Sequence, residues 1–163
     1  MLVLGIDPGS RCMGLGLVKE NGAKLDLILA KAVYPNSTYS LEQKLGYLFE
    51  QVGLVIERYQ PQEAALEDVF FALNARSALK LGQARGAVIV ACVSKNIPIY
   101  SYTPTQVKQS LVGAGRASKD QVQFMVKQLL QSKDSWPLDV SDALAVAITH
   151  LNSRKLNRLV AKT

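Results

Sequence analysis

The chain opens on an unbroken apolar run, Leu2-Val-Leu-Gly-Ile6, that stops at Asp7 and a Pro8-Gly9-Ser10 turn, the pattern of a short buried strand. Residues 13–19 and 25–33 read as two further strands, and the Glu20-Asn21-Gly22 turn between them predicts a hairpin. From Tyr39 to Tyr59, Leu41, Leu45, Leu48, Phe49, Val52, Val55 and Ile56 recur at steps of three and four, which predicts an amphipathic helix ending before Pro61. Residues 64–67 predict a strand, 75–93 a long helix and 97–100 a short strand. Gly82 and Gly86 inside that helix cost helix propensity, and close helix packing is the expected reason for them. Thr103 and Pro104 stand as N-cap and first residue of a helix that Gly113 breaks. Ser118 caps another over 119–130, and a last helix is predicted from about Asp139 to Leu151.

Three strands, a helix, a strand, a helix, a strand and then helices is the order of a hairpin-first mixed sheet with later right-handed crossovers. The expected class is α/β, a ribonuclease-H-like mixed five-stranded sheet flanked by helices. The 163 residues suit one domain. We assign it to residues 1–152 and treat 153–163 as a basic C-terminal tail. Charged residues at 20% and hydrophobic ones at 48% are a globular composition. Cys12 and Cys92 form no metal-binding spacing and no disulfide framework, and free thiols suit a reducing cytoplasm. No signal peptide or membrane-spanning run is expected, and Asn36-Ser37-Thr38 is a chance glycosylation match.

Charge sharpens this picture through its distribution. The net charge is +6, and residues 69–119 contain no Asp or Glu while carrying Arg76, Lys80, Arg85, Lys95, Lys108, Arg116 and Lys119. The chain after Asp142 is also free of acids. A polyanion is the natural partner for such a surface, although a merely solvated basic face has the same composition.

Four acids sit against the pattern. Asp7 and Glu67 each end an apolar strand, and Asp139 and Asp142 open an apolar helix three residues apart, so that both lie on one face. A carboxylate at a buried strand end is costly unless compensated, and a hard divalent cation compensates it. Four carboxylates meeting at one point could hold two Mg²⁺ ions ~3.5–4 Å apart, one activating water and one stabilising a leaving oxygen. Taken singly, Asp7 is equally a turn residue, Asp139 and Asp142 equally helix-start acids, and Glu67 equally a surface residue.

Several motifs resemble the RuvC family of Holliday-junction resolvases: Gly5-Ile-Asp7-Pro-Gly-Ser-Arg11, Leu66-Glu67-Asp-Val-Phe70, Asn74-Ala-Arg-Ser-Ala-Leu-Lys-Leu-Gly-Gln-Ala-Arg-Gly86 and Asp139-Val-Ser-Asp142-Ala-Leu-Ala-Val-Ala-Ile. Gln106-Val-Lys108-Gln and Lys119-Asp-Gln-Val-Gln123 add to the likeness, which runs in the family's order from Leu2 to about His150. The resemblance implies that Asp7, Glu67, Asp139 and Asp142 are the catalytic metal ligands, with two Mg²⁺ per site and Mn²⁺ able to substitute. It implies a homodimer that cuts two opposed strands of a four-way DNA junction in recombination and repair, working with the RuvA and RuvB branch-migration complex. It places Lys108 and Lys119 near the scissile phosphate and Phe70 against an unpaired base. Arg76, Lys80 and Arg116 are candidate DNA contacts by charge, Arg116 at the end of a glycine-rich loop. Some family members carry His where this chain has Asp139, and position 68 usually holds an uncharged or different side chain. The long helix over 75–93, with Ala84, Gly86 and Ala87 allowing close approach, is the expected dimer element.

Three other functions fit fewer residues. An actin-like or sugar-kinase ATPase also begins with a strand, Asp and Gly, but needs two phosphate loops. A junction binder without chemistry gains nothing from clustered acids. A YqgF-type nuclease shares the fold but not the long match over 74–86. Ser77 and Lys80 match an S-x-x-K acylase signature without its partner motifs, and His150, late in an apolar helix, is expected to be structural.

Overall fold

The computed structural model of the chain describes residues 1–68 and 75–160. It is a five-stranded sheet of order β3-β2-β1-β4-β5 with helices on both faces. β1 (Leu2–Asp7), β2 (Met13–Asn21) and β3 (Lys24–Val33) form an antiparallel meander, while β4 (Glu63–Glu67) and β5 (Ile99–Tyr102) continue the sheet parallel to β1. The β2–β3 turn is a two-residue loop in which Gly22 supplies a φ of 63°, a left-handed value that glycine adopts without steric cost.

Strand alternation separates two cores. Leu4, Ile6, Leu15, Leu17, Ala64 and Leu66 point to one face and pack under α1 (Leu41–Tyr59) and α2 (Ala75–Ser94). Val3, Val18 and Ala65 point to the other, under α3 (Pro104–Val112), α4 (Lys119–Leu129) and α5 (Leu138–Val160). Three helices start on the same device, a Ser or Thr N-cap reciprocated by Gln three residues on: Ser40 with Gln43, Thr103 with Gln106 and Ser118 with Gln121.

α5 crosses the sheet almost in contact with its backbone. A Cβ on Gly5 would lie 1.9 Å from the Ala143 carbonyl oxygen, one on Gly14 would lie 1.9 Å from that of Asp139, and one on Gly16 would meet Leu144. Gly5 pairs with Gly16 and Asp7 with Gly14, so the three glycines form a continuous trough across β1 and β2. The later part of α5 is fixed by polar contacts. His150 is buried, its Nδ1 is 2.6 Å from the Tyr102 hydroxyl and its Nε2 reaches Glu63, which also receives Arg154. Glu63 as a carboxylate can only accept, so Nε2 carries the proton and Tyr102 donates to Nδ1. Burial lowers the imidazole pKa and favours this neutral form. His150 is thus structural, as its apolar helix implied.

The structure corrects five expectations. α1 begins at Leu41, because Ser40 caps it. β5 lies at Ile99–Tyr102, not 97–100; Pro98 has no N–H for the ladder, although its carbonyl still accepts from Ala64. α5 does not end at Leu151 but runs to Val160, across the expected 152/153 boundary, because no Gly or Pro interrupts it. Gly82 and Gly86 do not serve packing within the chain, since a Cβ on either would meet open space. Ala84 lies in the α1–α2 core and is unavailable to a partner. Among the described residues no helix is long and apolar enough to cross a membrane, and Cys12 and Cys92 are free thiols.

Candidate active site

Asp7 is the last residue of β1 and Glu67 the last of β4. The two strands are parallel with Ile6 opposite Leu66, so the register carried one step further sets Asp7 beside Glu67. Asp7 shares the α5 face with Val3 and Gly5, and Glu67 shares it with Ala65. The seating of Asp139 on Gly14, the cross-strand partner of Asp7, brings the first turn of α5 over these strand ends. Asp142, one turn on, projects from the same helix face.

The four acids feel one another. Burial, and then the charges of Asp142, Glu67 and Asp139, push the Asp7 carboxyl up to about 8, with Lys119 opposing. Glu67 is raised first by burial and then by Asp142, and lowered by Lys119 and Lys108. Asp142 is raised by burial, against the stabilising effect of Lys119, whose Nζ lies 3.7 Å from its Oδ2. That lysine is 70% exposed and faces water as well as the acids. Among the described residues no three His, Cys, Asp or Glu side chains are gathered tightly enough to hold a metal ion as they stand. The donor set fits a hard divalent cation: all four are carboxylates, Asp7 is half-buried within reach of the charges of the other three, and a cation would relieve both the desolvation and the repulsion.

A groove of about 840 Å³ opens beside Asp139. Its walls are the loop after β1, from Gly9 to Cys12, Tyr39 just before α1 with Leu41 and Lys44 of its first turns, and Ser77, Lys80 and Leu81 of α2. Lys80 therefore shares a cleft with Asp139, whereas Lys108 stands on the Glu67 side. Arg76 is exposed at the start of α2, and Arg116 is exposed between α3 and α4. Nothing in the described residues links either to the four acids. Phe70 lies outside the described residues.

Asp68 forms an ion pair with Arg85 of α2 at 2.6 Å, and Arg85 also donates to the Ser101 hydroxyl of β5. The chain's charged residue at this position is thereby tied to a cation at the sheet end. Cys12 was read only as a free thiol, yet it faces the groove within reach of Asp139 and Tyr34. Burial, and then the neighbouring Asp139 carboxylate, push its thiol up to about 11. Gly14 was also missed. The signal for both lay in strand register, which a single pass along the chain does not reveal.

The family model for crossover junction endodeoxyribonuclease RuvC matches residues 3–150. A crossover junction endodeoxyribonuclease RuvC of Oleidesulfovibrio alaskensis is 51% identical over 98% of this chain and 95% of its own length. The structure of Thermus thermophilus RuvC superposes with a TM-score of 0.88 at 37% identity, covering 96% of this chain and 97% of that one. The same protein in complex with Holliday junction substrate gives a TM-score of 0.91 at 36% identity, over 96% of both chains. Matches of this extent over one fold and nearly the whole length leave one assignment: the chain belongs to the RuvC family of crossover junction endodeoxyribonucleases.

Proposed function

We propose that this chain resolves four-way DNA junctions by nicking two opposed strands, as a homodimer and with divalent metal. The observation that carries the reading is the convergence of half-buried Asp7 and Glu67 at the strand ends with Asp139 and Asp142 at the start of α5, in a chain so similar to RuvC enzymes. Asp7, Glu67, Asp139 and Asp142 would hold the metal, for which two Mg²⁺, or Mn²⁺ in substitution, suit an all-carboxylate set. When bound, such cations supply an activated water and stabilise negative charge on the cleaved phosphodiester.

The remaining steps belong to the chain's own residues. Asp7 and Glu67 stand on the rigid ends of neighbouring strands, so the acids are fixed before substrate arrives. Lys119, exposed yet 3.7 Å from Asp142, is placed to exchange that carboxylate for a substrate phosphate. Lys108 flanks Glu67 and adds positive charge where phosphate charge develops. Lys80 guides backbone along the groove, and Arg76 and Arg116 hold duplex arms further out. Phe70 stacks on an unpaired base near the scissile bond.

The dimer reading rests on α2. Leu79, Val90 and Val93 are 65%, 57% and 61% exposed on the helix whose Gly82 and Gly86 look into open space. Small residues beside exposed apolar ones permit close helix approach, and a two-fold axis would relate two identical sites as two symmetric nicks require. A cytoplasmic location and cooperation with RuvA and RuvB follow from family membership. The test is a synthetic four-way junction labelled on each strand, with Mg²⁺ or with EDTA. Paired symmetric nicks that require Mg²⁺ and spare linear duplex support the function. Equal cutting of linear duplex, or none with Mg²⁺, rejects it.

A further inference from the structure

We propose that Arg85 is a positioning residue for Glu67: it clamps the residue that follows this acid to α2 and to β5, and so holds the end of β4 at the site. The inference rests on the reading of Glu67 as a metal ligand and adds the cation that keeps its strand in place.

The clamp is built from register and alternation. Ala65 and Glu67 point toward α5, whereas Leu66 and Asp68 point toward α2. The sheet continues one step past β4, since the Asp68 N–H donates to the Tyr102 carbonyl at 2.8 Å. Ser101 stands opposite Leu66, so its hydroxyl emerges on the same face as the Asp68 carboxylate. One terminal nitrogen of Arg85, Nη2, reaches both: it lies 2.6 Å from Asp68 Oδ1 and 2.7 Å from the Ser101 hydroxyl. Ala84, the residue before Arg85, is buried with Val88 and Leu66 in the core beneath that face, so the arm starts from a fixed base.

Glu67 needs such a restraint. It is the last residue of its strand, and the register sets its carboxylate beside that of Asp7. Like charges at neighbouring strand ends repel, and a strand end held by backbone bonds alone yields by fraying. A charge-assisted bond to the next residue resists that movement from the opposite face, where it leaves both Glu67 oxygens free for metal. The sign of the effect separates positioning from charge. A guanidinium near a cation site disfavours the cation electrostatically, so removing it should tighten metal binding if charge alone mattered. Removing a clamp should weaken it. Arg85 also belongs to the acid-free basic stretch, where a cation spent on Asp68 and Ser101 is withdrawn from phosphate.

The experiment measures Mn²⁺ binding calorimetrically, without DNA, for the wild type, Arg85→Met, Arg85→Lys, Asp68→Asn, Glu57→Gln and Glu67→Gln. Junction affinity at several salt concentrations without divalent metal, and thermal unfolding, are measured alongside. Arg85→Met keeps the aliphatic stem but loses both bonds, and should weaken Mn²⁺ binding about 3-fold or more. Its salt slope for junction binding should equal that of the wild type. Arg85→Lys should recover Mn²⁺ affinity to within about 2-fold, because both bonds leave one nitrogen and a lysine ammonium carries three donors. The Asp68 side chain is 36% exposed, so Asp68→Asn keeps its fold, should also weaken Mn²⁺ binding, and decides the matter if Arg85→Met unfolds. Glu57→Gln opens the 2.5 Å pair that Lys95 makes with α1 beyond the far end of α2, and should leave Mn²⁺ affinity unchanged. Unchanged or tighter Mn²⁺ binding in Arg85→Met, or wild-type affinity in Asp68→Asn, overturns the inference. So does an equal loss in Glu57→Gln, which would make helix docking in general the cause. A salt slope reduced by about 0.9 in Arg85→Met, with Mn²⁺ affinity intact, makes Arg85 a phosphate contact instead. Wild-type Mn²⁺ affinity in Glu67→Gln overturns the ligand assignment beneath it.

Discussion

The carbonyl oxygen of Asp139 rests on Gly14, so close that a Cβ built there would lie 1.9 Å away. Neither partner is a flexible side-chain end, so any side chain at position 14 must displace the first turn of α5. Gly14→Ala should therefore destabilise the fold by about 1–3 kcal/mol. It should also weaken Mg²⁺ binding beyond what the lost stability explains. Gly5→Ala makes the equally close contact with Ala143, further along α5, and should cost similar stability with less effect on metal. Urea unfolding beside metal titration of the two variants separates the effects. Equal loss of metal affinity in both would show that helix seating in general, not the Gly14 contact, sets the site.

The four acids give a second comparison. Asp7→Asn, Glu67→Gln, Asp139→Asn and Asp142→Asn each keep the shape of the side chain while removing a charge. Each should abolish junction cleavage, at least ~10²-fold in single turnover if the group contributes to charge stabilisation of the transition state. Junction binding should be retained or tightened, because a negative charge facing phosphate has been removed. A variant that cleaves at a near-normal rate removes its residue from the ligand set.

Protonation links the site to stability. Asp7 is pushed up to about 8, above its value of about 3.9 in an unfolded chain. Between these values the folded protein holds a proton that the unfolded chain has released, so stability of the metal-free protein falls as pH rises from about 4 to about 8. Glu67 and Asp142 are raised too and act in the same direction. In EDTA, Tm should fall across this window, and Asp7→Asn should flatten the fall. Mg²⁺ competes for the deprotonated carboxylate, so the Tm gain it confers should grow with pH. A metal-free Tm that Asp7→Asn leaves with unchanged pH dependence would contradict the assignment.

What was legible in the sequence was whatever is written locally. Asp7 and Glu67 end apolar runs, Thr103-Pro104 and Ser118 mark helix starts, and the spacing of Asp139 and Asp142 fixes their common face. These signals lie within a few residues of what they predict. Long-range seating was not written that way. Gly5, Gly14 and Gly16 look like weak strand positions until α5, more than a hundred residues later, is laid across them. The opposite error arose at Gly82 and Gly86, which suggested internal packing but face open space. Ala84 looked like part of an accessible small-residue surface, yet its helical phase turns it into the core. The pairing of Met13 with Val33 depends on a register shift between Leu17 and Val18, which the hairpin turn does not announce.

The exposed stripe on α2 offers a test of assembly independent of chemistry. Val90 is 57% exposed and lies outside both cores, so Val90→Asp should leave the subunit folded. A charge at a close helix contact should split the dimer. The variant should sediment as a monomer at micromolar concentration and give single rather than paired nicks. A stable Val90→Asp dimer that still makes paired nicks places the interface elsewhere.

Positioning and strand opening should separate by salt dependence. The acid-free stretch from 69 to 119 carries seven cations, and Arg76 and Arg116 are exposed within it. If each contacts one phosphate on a duplex arm, Arg76→Ala and Arg116→Ala should each reduce the slope of log K against log salt by about 0.9. They should weaken binding to every junction alike, because a phosphate contact carries no base information. Phe70→Ala removes a stacking surface and no charge, so its salt slope should match the wild type. The arms are still held through phosphates, so binding should persist. Cleavage should fall nonetheless, because an unpaired base no longer held by stacking, worth about 1–3 kcal/mol, leaves the scissile strand less well presented to the acids. Binding at several salt concentrations beside single-turnover cleavage distinguishes the two classes. A Phe70→Ala variant that loses its fold, measured by thermal unfolding, would make Phe70 a core residue and remove it from the DNA surface.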